Sequence, residues 1–189
     1  MTRLLWRLAN APLFVLIVAI GVAIQSSLFN SYPLLYLQPD VVLIAVIWCA
    51  LRRGFDEGGI LTLIFAAVAE SHSSAPQGLF MIAYMAVYLG ARIANKVLVI
   101  PSLSTMVMMT MAASIGWKFV YMLVLTLMGH SSGQWRHMLW LLFPSAAMAG
   151  ATAIWVLRWL ERFDWNTYKD PRARQGPEDE VPLDTVEGF

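Results

Sequence analysis

Charge is what this sequence has least of. Asp, Glu, Lys and Arg make up 13% of its 189 residues, against about 25% in a typical soluble domain. Acids and bases nearly cancel, leaving a formal net charge of +1, so no long-range attraction to nucleic acid is implied. Cysteine occurs once, at Cys49. A lone thiol excludes an internal disulfide and any Cys-x-x-Cys metal or redox site. Its setting in an apolar run predicts a small buried side chain. There is no Gly-rich phosphate loop and no His-Glu-x-x-His, so nucleotide binding and zinc-protease chemistry lack their motifs.

What the chain has instead is apolar sequence. Hydrophobic residues make up 59% of it and the mean hydropathy is +0.63, which places it with membrane proteins. Arg3 and Arg7 precede the first apolar run, which continues through the weak cleavage sites near Gly21 and Gln25. It reads as an uncleaved first span over 12–29, with Pro12 in the first turn. The second span runs from Pro39 to Leu51, with Asp40 at the positive end of its dipole. The third runs from Gly58 to Ala69. Each is short for a ~30 Å hydrocarbon core, so they either cross a locally thinned bilayer or sit among longer neighbours, or else form a re-entrant hairpin. Crossing is the better reading, because a hairpin tip would bury Arg52, Arg53, Asp56 and Glu57 in lipid. The fourth span covers 77–94, the fifth about 102–128 after Pro101, and the sixth 138–157. The methionines at 106, 108, 109 and 111 read as adaptable packing. Ala146 and Gly150 have the small-xxx-small spacing that lets two helices approach closely.

The break at Arg52-Arg53-Gly54-Phe55-Asp56-Glu57-Gly58-Gly59 is doubly basic. The break from Glu70 to Gln77 has no Lys or Arg. With six spans and an inside N-terminus, eleven of the thirteen Lys and Arg residues fall inside. Arg136 falls outside and Lys118 within the fifth span, a strong positive-inside pattern. The expected organisation is a six-span transmembrane domain over 1–163 and a cytoplasmic, disordered tail over 164–189, which is rich in Pro and charge.

Candidate chemistry is sparse. Glu70 and Lys118 map to similar depths. They either form an ion pair between the third and fifth spans or each snorkel to the outer interface. Glu70, His72, His130 and His137 map to the outer side without the spacing of a zinc motif, so no metal or cofactor is expected. An acid–base pair of Glu70 with His72 has little else to support it, so no catalytic residues are assigned. Gly54 and Gly58 read as glycines of a tight turn. Arg52 and Arg53 orient the chain, with anionic lipid head groups as a second role.

Some of these residues also form a recognisable series. Pro39-Asp40, an apolar helix and Ala50-Leu51-Arg52-Arg53-Gly54 are followed by Gly58-Gly59, a second apolar helix, Glu70-Ser71 and Gly78-Leu79-Phe80. Tyr88-Leu89-Gly90-Ala91-Arg92 closes the series. Over residues 36–96 the chain resembles the MreD family of rod shape-determining proteins, which usually carries aspartate where this chain has Glu70. The resemblance implies a six-transmembrane-helix bundle similar to the substrate-binding component of energy-coupling-factor transporters. It implies a non-enzymatic scaffold of the bacterial inner membrane, with both termini cytoplasmic, that regulates lateral peptidoglycan synthesis and cell shape. The implied partners are MreC and, in a larger complex, MreB, RodA and a class B penicillin-binding protein; self-association is left open. Pro39, Asp40, Arg52, Arg53, Gly54, Glu70, Gly78 and Lys118 are the partner-binding or structural candidates. The alternative is a membrane component of a transporter that binds a vitamin-like small molecule. Against it stands the lack of a polar cluster spread over several spans.

Overall fold

Helix α2 (Val41–Arg52) is the axis around which the chain packs. The computed structural model describes residues 2–29, 38–97, 102–129 and 134–167. Over these residues the chain is all-helical and has no strand. The other helices are α1 (Thr2–Leu28), α3 (Phe55–Ser71), α4 (Leu79–Val97), α5 (Leu103–Leu127) and α6 (Gln134–Asn166). All five touch α2. Every residue from Val42 to Leu51 is buried, Cys49 among them. A helix so rich in Val and Ile has little intrinsic propensity, so its stability comes from packing on all sides. At about 18 Å, α2 is shorter than the five helices that surround it. Helix α3 is longer than expected, because Phe55, Asp56 and Glu57 form its first turn. The acids there suit the positive end of the helix dipole.

The longer helices present one row to α2 and another outward. On α1, Asn10, Phe14, Val18 and Val22 are buried, while Leu16, Ile20, Ile24 and Leu28 are exposed. Both rows repeat every four residues, as a helix requires. On α5 the buried row includes Thr110 and Ser114, whereas Met108, Phe119, Leu123 and Leu127 are exposed. The outside of the bundle is thus no more polar than its inside. Leu8–Leu28 and Leu103–Leu127 are long and apolar enough to cross a membrane, and in each only 17% of the most apolar stretch is buried. A core helix of a soluble protein would be mostly covered.

Two further boundaries differ from expectation. Helix α1 begins at Thr2, so Pro12 lies in its interior rather than its first turn. There it removes the N–H that would bond the Leu8 carbonyl. Helix α6 has 33 residues, about 50 Å, and runs past residue 163, where the tail was expected to begin. The buried row Leu142, Ala146, Ala149, Ala153, Leu157, Leu160 and Asp164 keeps the three-and-four spacing of a helix face through that boundary. The expected tail starts no earlier than residue 168, which lies outside the described residues.

Glycine sets two close approaches. A Cβ on Gly150 would come within 2.7 Å of Met111 Cγ, so α5 and α6 meet at the small residues picked out by their spacing. A Cβ on Gly58 would lie 2.8 Å from the Tyr88 hydroxyl and 3.1 Å from the Cys49 carbonyl. Gly58 therefore serves helix contact inside α3, not the tight turn expected of it. The space around Gly54, the N-cap of α3, is open.

Candidate functional site

Polar side chains gather at the two ends of α2. At its C-terminal end, Arg53 turns inward. Its Nη2 donates to Asp164 Oδ1 at 2.5 Å, and the two side chains are 1% and 8% exposed. The same carboxylate accepts from Asn10 Nδ2 at 3.1 Å and from Trp48 Nε1 at 3.1 Å. Asn10 Nδ2 also donates to Thr167 Oγ1 at 2.6 Å. Glu57 Oε1 lies 3.5 Å from Arg53 Nη1, and the guanidinium stands 5.9 Å from the centre of the Phe14 ring. One buried ion pair, clothed in hydrogen bonds, thus joins α1, α2 and α6. Stripping such a pair of one member costs about 3–5 kcal/mol, because the other charge stays buried alone.

Nearby contacts fasten α4 to α2 and α3. Arg92 Nη1 donates to the Ala50 carbonyl at 2.9 Å, and Tyr88 Oη donates to the Phe55 carbonyl at 2.7 Å. The Ala50 carbonyl lies in the last turn of α2, where backbone carbonyls lack intrahelical partners. Arg52 faces outward, 3.8 Å from Glu161 and 5.5 Å above the Trp48 ring. An exposed pair of this kind adds little to stability.

At the N-terminal end of α2, Pro39 leads into Asp40, the N-cap. Asp40 Oδ1 accepts the Leu43 N–H at 2.9 Å, and Oδ2 accepts the Tyr84 hydroxyl at 2.9 Å. Gln25 Oε1 of α1 accepts the neighbouring Val41 N–H at 3.2 Å. On α5, Lys118 Nζ donates to Ser145 Oγ of α6 and is attracted by the Asp40 carboxylate. These groups wall a cavity of about 380 Å³ to which all six helices or their flanking residues contribute. One wall is aromatic. Phe80 stacks on Tyr84 with ring centres 5.8 Å apart, Tyr84 lies 5.5 Å from Trp117, and Trp117 stacks on Tyr121 at 5.1 Å. Trp117 Nε1 is buried and finds no acceptor among the described residues, a cost of about 1–3 kcal/mol if nothing fills the space beside it.

Glu70 and Lys118 do not form the ion pair offered as one reading of the sequence. Glu70 accepts the Gly78 N–H, closing the loop between α3 and α4, and Gly78 has a φ of +87° that favours glycine. Lys118 donates instead to Ser145. The eight candidates therefore divide. Asp40 and Lys118 line the cavity, Pro39 leads into its rim, and Glu70 and Gly78 pin the adjoining loop. Arg52, Arg53 and Gly54 lie at the far end. His72 is exposed, its Nδ1 within 3.0 Å of the Val68 carbonyl, while the side chains of His130 and His137 lie outside those described.

Sequence reasoning passed over Asp164, Asn10 and Trp48 at one end, and Gln25, Tyr84, Trp117 and Ser145 at the other. The expected lack of a polar cluster across several spans is overturned at the cavity. Its members come singly from distant parts of the chain, so no local pattern marks them. Residues 129–133 read Gly-His-Ser-Ser-Gly, the spacing of a nucleophile elbow. That motif needs a strand running into the turn, and here α5 runs into it. Set against models of protein families, curated proteins and solved structures, the chain matches none.

Proposed function

We propose that this chain is a six-span, non-enzymatic scaffold of the bacterial inner membrane, of the MreD kind, with both termini cytoplasmic. The observation that carries the reading is what the residues of the resemblance do. Asp40, Arg53, Gly58, Glu70, Gly78, Tyr88 and Arg92 each make a contact that fixes the course of α2, α3 and α4. Residues that set the course of helices in this way are the ones a common fold would share. The apolar exterior and the lopsided cations support the membrane setting. Among the Lys and Arg residues with described side chains, only Lys118 lies toward the cavity end. Arg52, Arg53, Arg92, Lys96, Arg158 and Arg162 lie toward the other, which the positive-inside rule makes cytoplasmic.

In this reading the protein acts by binding. Helix-to-helix contact with a single-span partner of the MreC kind would stabilise an assembly with MreB, RodA and a class B penicillin-binding protein. Affinity capture from native membranes, followed by mass spectrometry, is expected to recover these partners, and depletion is expected to round rod-shaped cells. Unaltered rod shape in depleted cells would refute the scaffold role. The second reading, a small-molecule-binding membrane component of a transporter, is favoured by one observation: the polar cavity draws on six helices and carries an aromatic wall.

A further inference from the structure

The C-terminal part of α6 turns a cationic and aromatic face away from the bundle. Arg158 and Arg162 are both exposed. Trp155, Trp159 and Trp165 stand among them, 81%, 48% and 53% exposed. Separations of three, four and seven residues put all five on one side of the helix. The opposite side, with Ala153, Leu157, Leu160 and Asp164, is buried in the bundle. Neither arginine forms an ion pair with a carboxylate among the described residues. The acids of this stretch are engaged elsewhere: Glu161 lies 3.8 Å from Arg52, and Asp164 holds Arg53 at 2.5 Å. Two guanidiniums one turn apart repel each other, and an anion placed between them answers both.

The depth of this face follows from the helix. The same side carries Trp140, 79% exposed, and no charged residue occurs from there to Leu157. From Trp140 to Arg158 the helix rises about 27 Å, close to the ~30 Å of a hydrocarbon core. Tryptophans near both limits match the interfacial belts of membrane proteins. In the membrane setting proposed above, Arg158 and Arg162 thus stand at headgroup depth in the cytoplasmic leaflet. We propose that they hold the phosphate of an anionic phospholipid, with Trp155 and Trp159 against its glycerol and upper acyl chain. Guanidinium forks match phosphate oxygens, and indoles settle where headgroup meets chain. A zwitterionic lipid fits less well, because it brings a cation of its own to a site that already has two.

The test uses full-length protein offered equal amounts of phosphatidylglycerol and phosphatidylethanolamine with the same acyl chains, and native mass spectrometry reads the bound lipid. Phosphatidylglycerol is expected to be favoured roughly tenfold. Arg158→Gln with Arg162→Gln is expected to abolish the preference. Lys96→Gln with Arg174→Gln removes as much charge elsewhere and is expected to leave it. Glycerol 1-phosphate, a headgroup without chains, is expected to compete little. Equal binding of the two lipids, equal loss in both pairs of variants, or displacement by glycerol 1-phosphate would each overturn the site. So would a preference that appears only with Glu178→Gln, Asp179→Asn and Glu180→Gln, which would assign the arginines to the acidic tail of the chain. The proposal rests on the membrane setting and not on the scaffold role. Resistance of the chain to carbonate extraction checks that setting separately. A chain extracted by carbonate would refute the setting and this site with it, whereas an inserted chain without lipid preference would refute the site alone.

Discussion

Asp164 shows how much can rest on one residue that composition hides. The sequence changes character at that position, and charge and proline follow, so a boundary there is the natural reading. The helical spacing of Ala153, Leu157 and Leu160 continues to it nevertheless, and that row was the available signal. Because the carboxylate answers Arg53, Asn10 and Trp48 together, Asp164→Ala is expected to destabilise by about 3–5 kcal/mol. Changing both charged residues to Arg53→Met and Asp164→Leu should recover much of that loss, since no bare charge then stays buried. Thermal unfolding in detergent reads both effects, and a double variant no more stable than Asp164→Ala would show that the pair is not a closed unit. Cys49 contrasts with Asp164: its apolar neighbours announced a buried thiol, and it is one.

Helices were legible where their own periodicity decided them and illegible where neighbours did. Helix α2 looked short for a span, and the sequence does not say that five other helices surround it. The ends of α1 and α6 were set too far inward, since a hydropathy threshold sees lipid-compatible residues and misses helical turns beyond them. The small-residue spacing on α6 was readable, because it depends on one helix alone. Its partner, Met111, was not. Gly150→Leu is expected to push α5 and α6 apart and lower the midpoint of thermal unfolding by several degrees, as overpacking at about 1–3 kcal/mol implies. Gly150→Ala, met by a flexible methionine, should cost far less. Equal shifts for the two variants would mean that the helices do not meet there.

At the scale of the molecule, the two ends of α2 divide the labour. One end is a clasp of charge and hydrogen bonds, and the other is a cavity with a polar and aromatic lining. The cations of the sequence predict a direction of threading, whereas the cavity left no sign in it. Charge bias is a sum over loops, whereas the cavity is a convergence of single residues from α1, α4, α5 and α6. Reporter fusions check the threading directly. Those placed at residue 54 and after residue 167 should both report the cytoplasm, and one between residues 130 and 133 the opposite side. A periplasmic signal at residue 54 would turn the cavity toward the cell interior.

The clasp also imposes an order on biosynthesis. Arg53 is made about a hundred residues before the carboxylate that neutralises it, and Asp164 lies almost at the end of α6. A nascent chain halted before that point therefore keeps a guanidinium among apolar side chains with its main counter-ion missing. The bundle is sealed by its last turn of helix, so the finished protein differs from any of its prefixes in charge balance as well as in length.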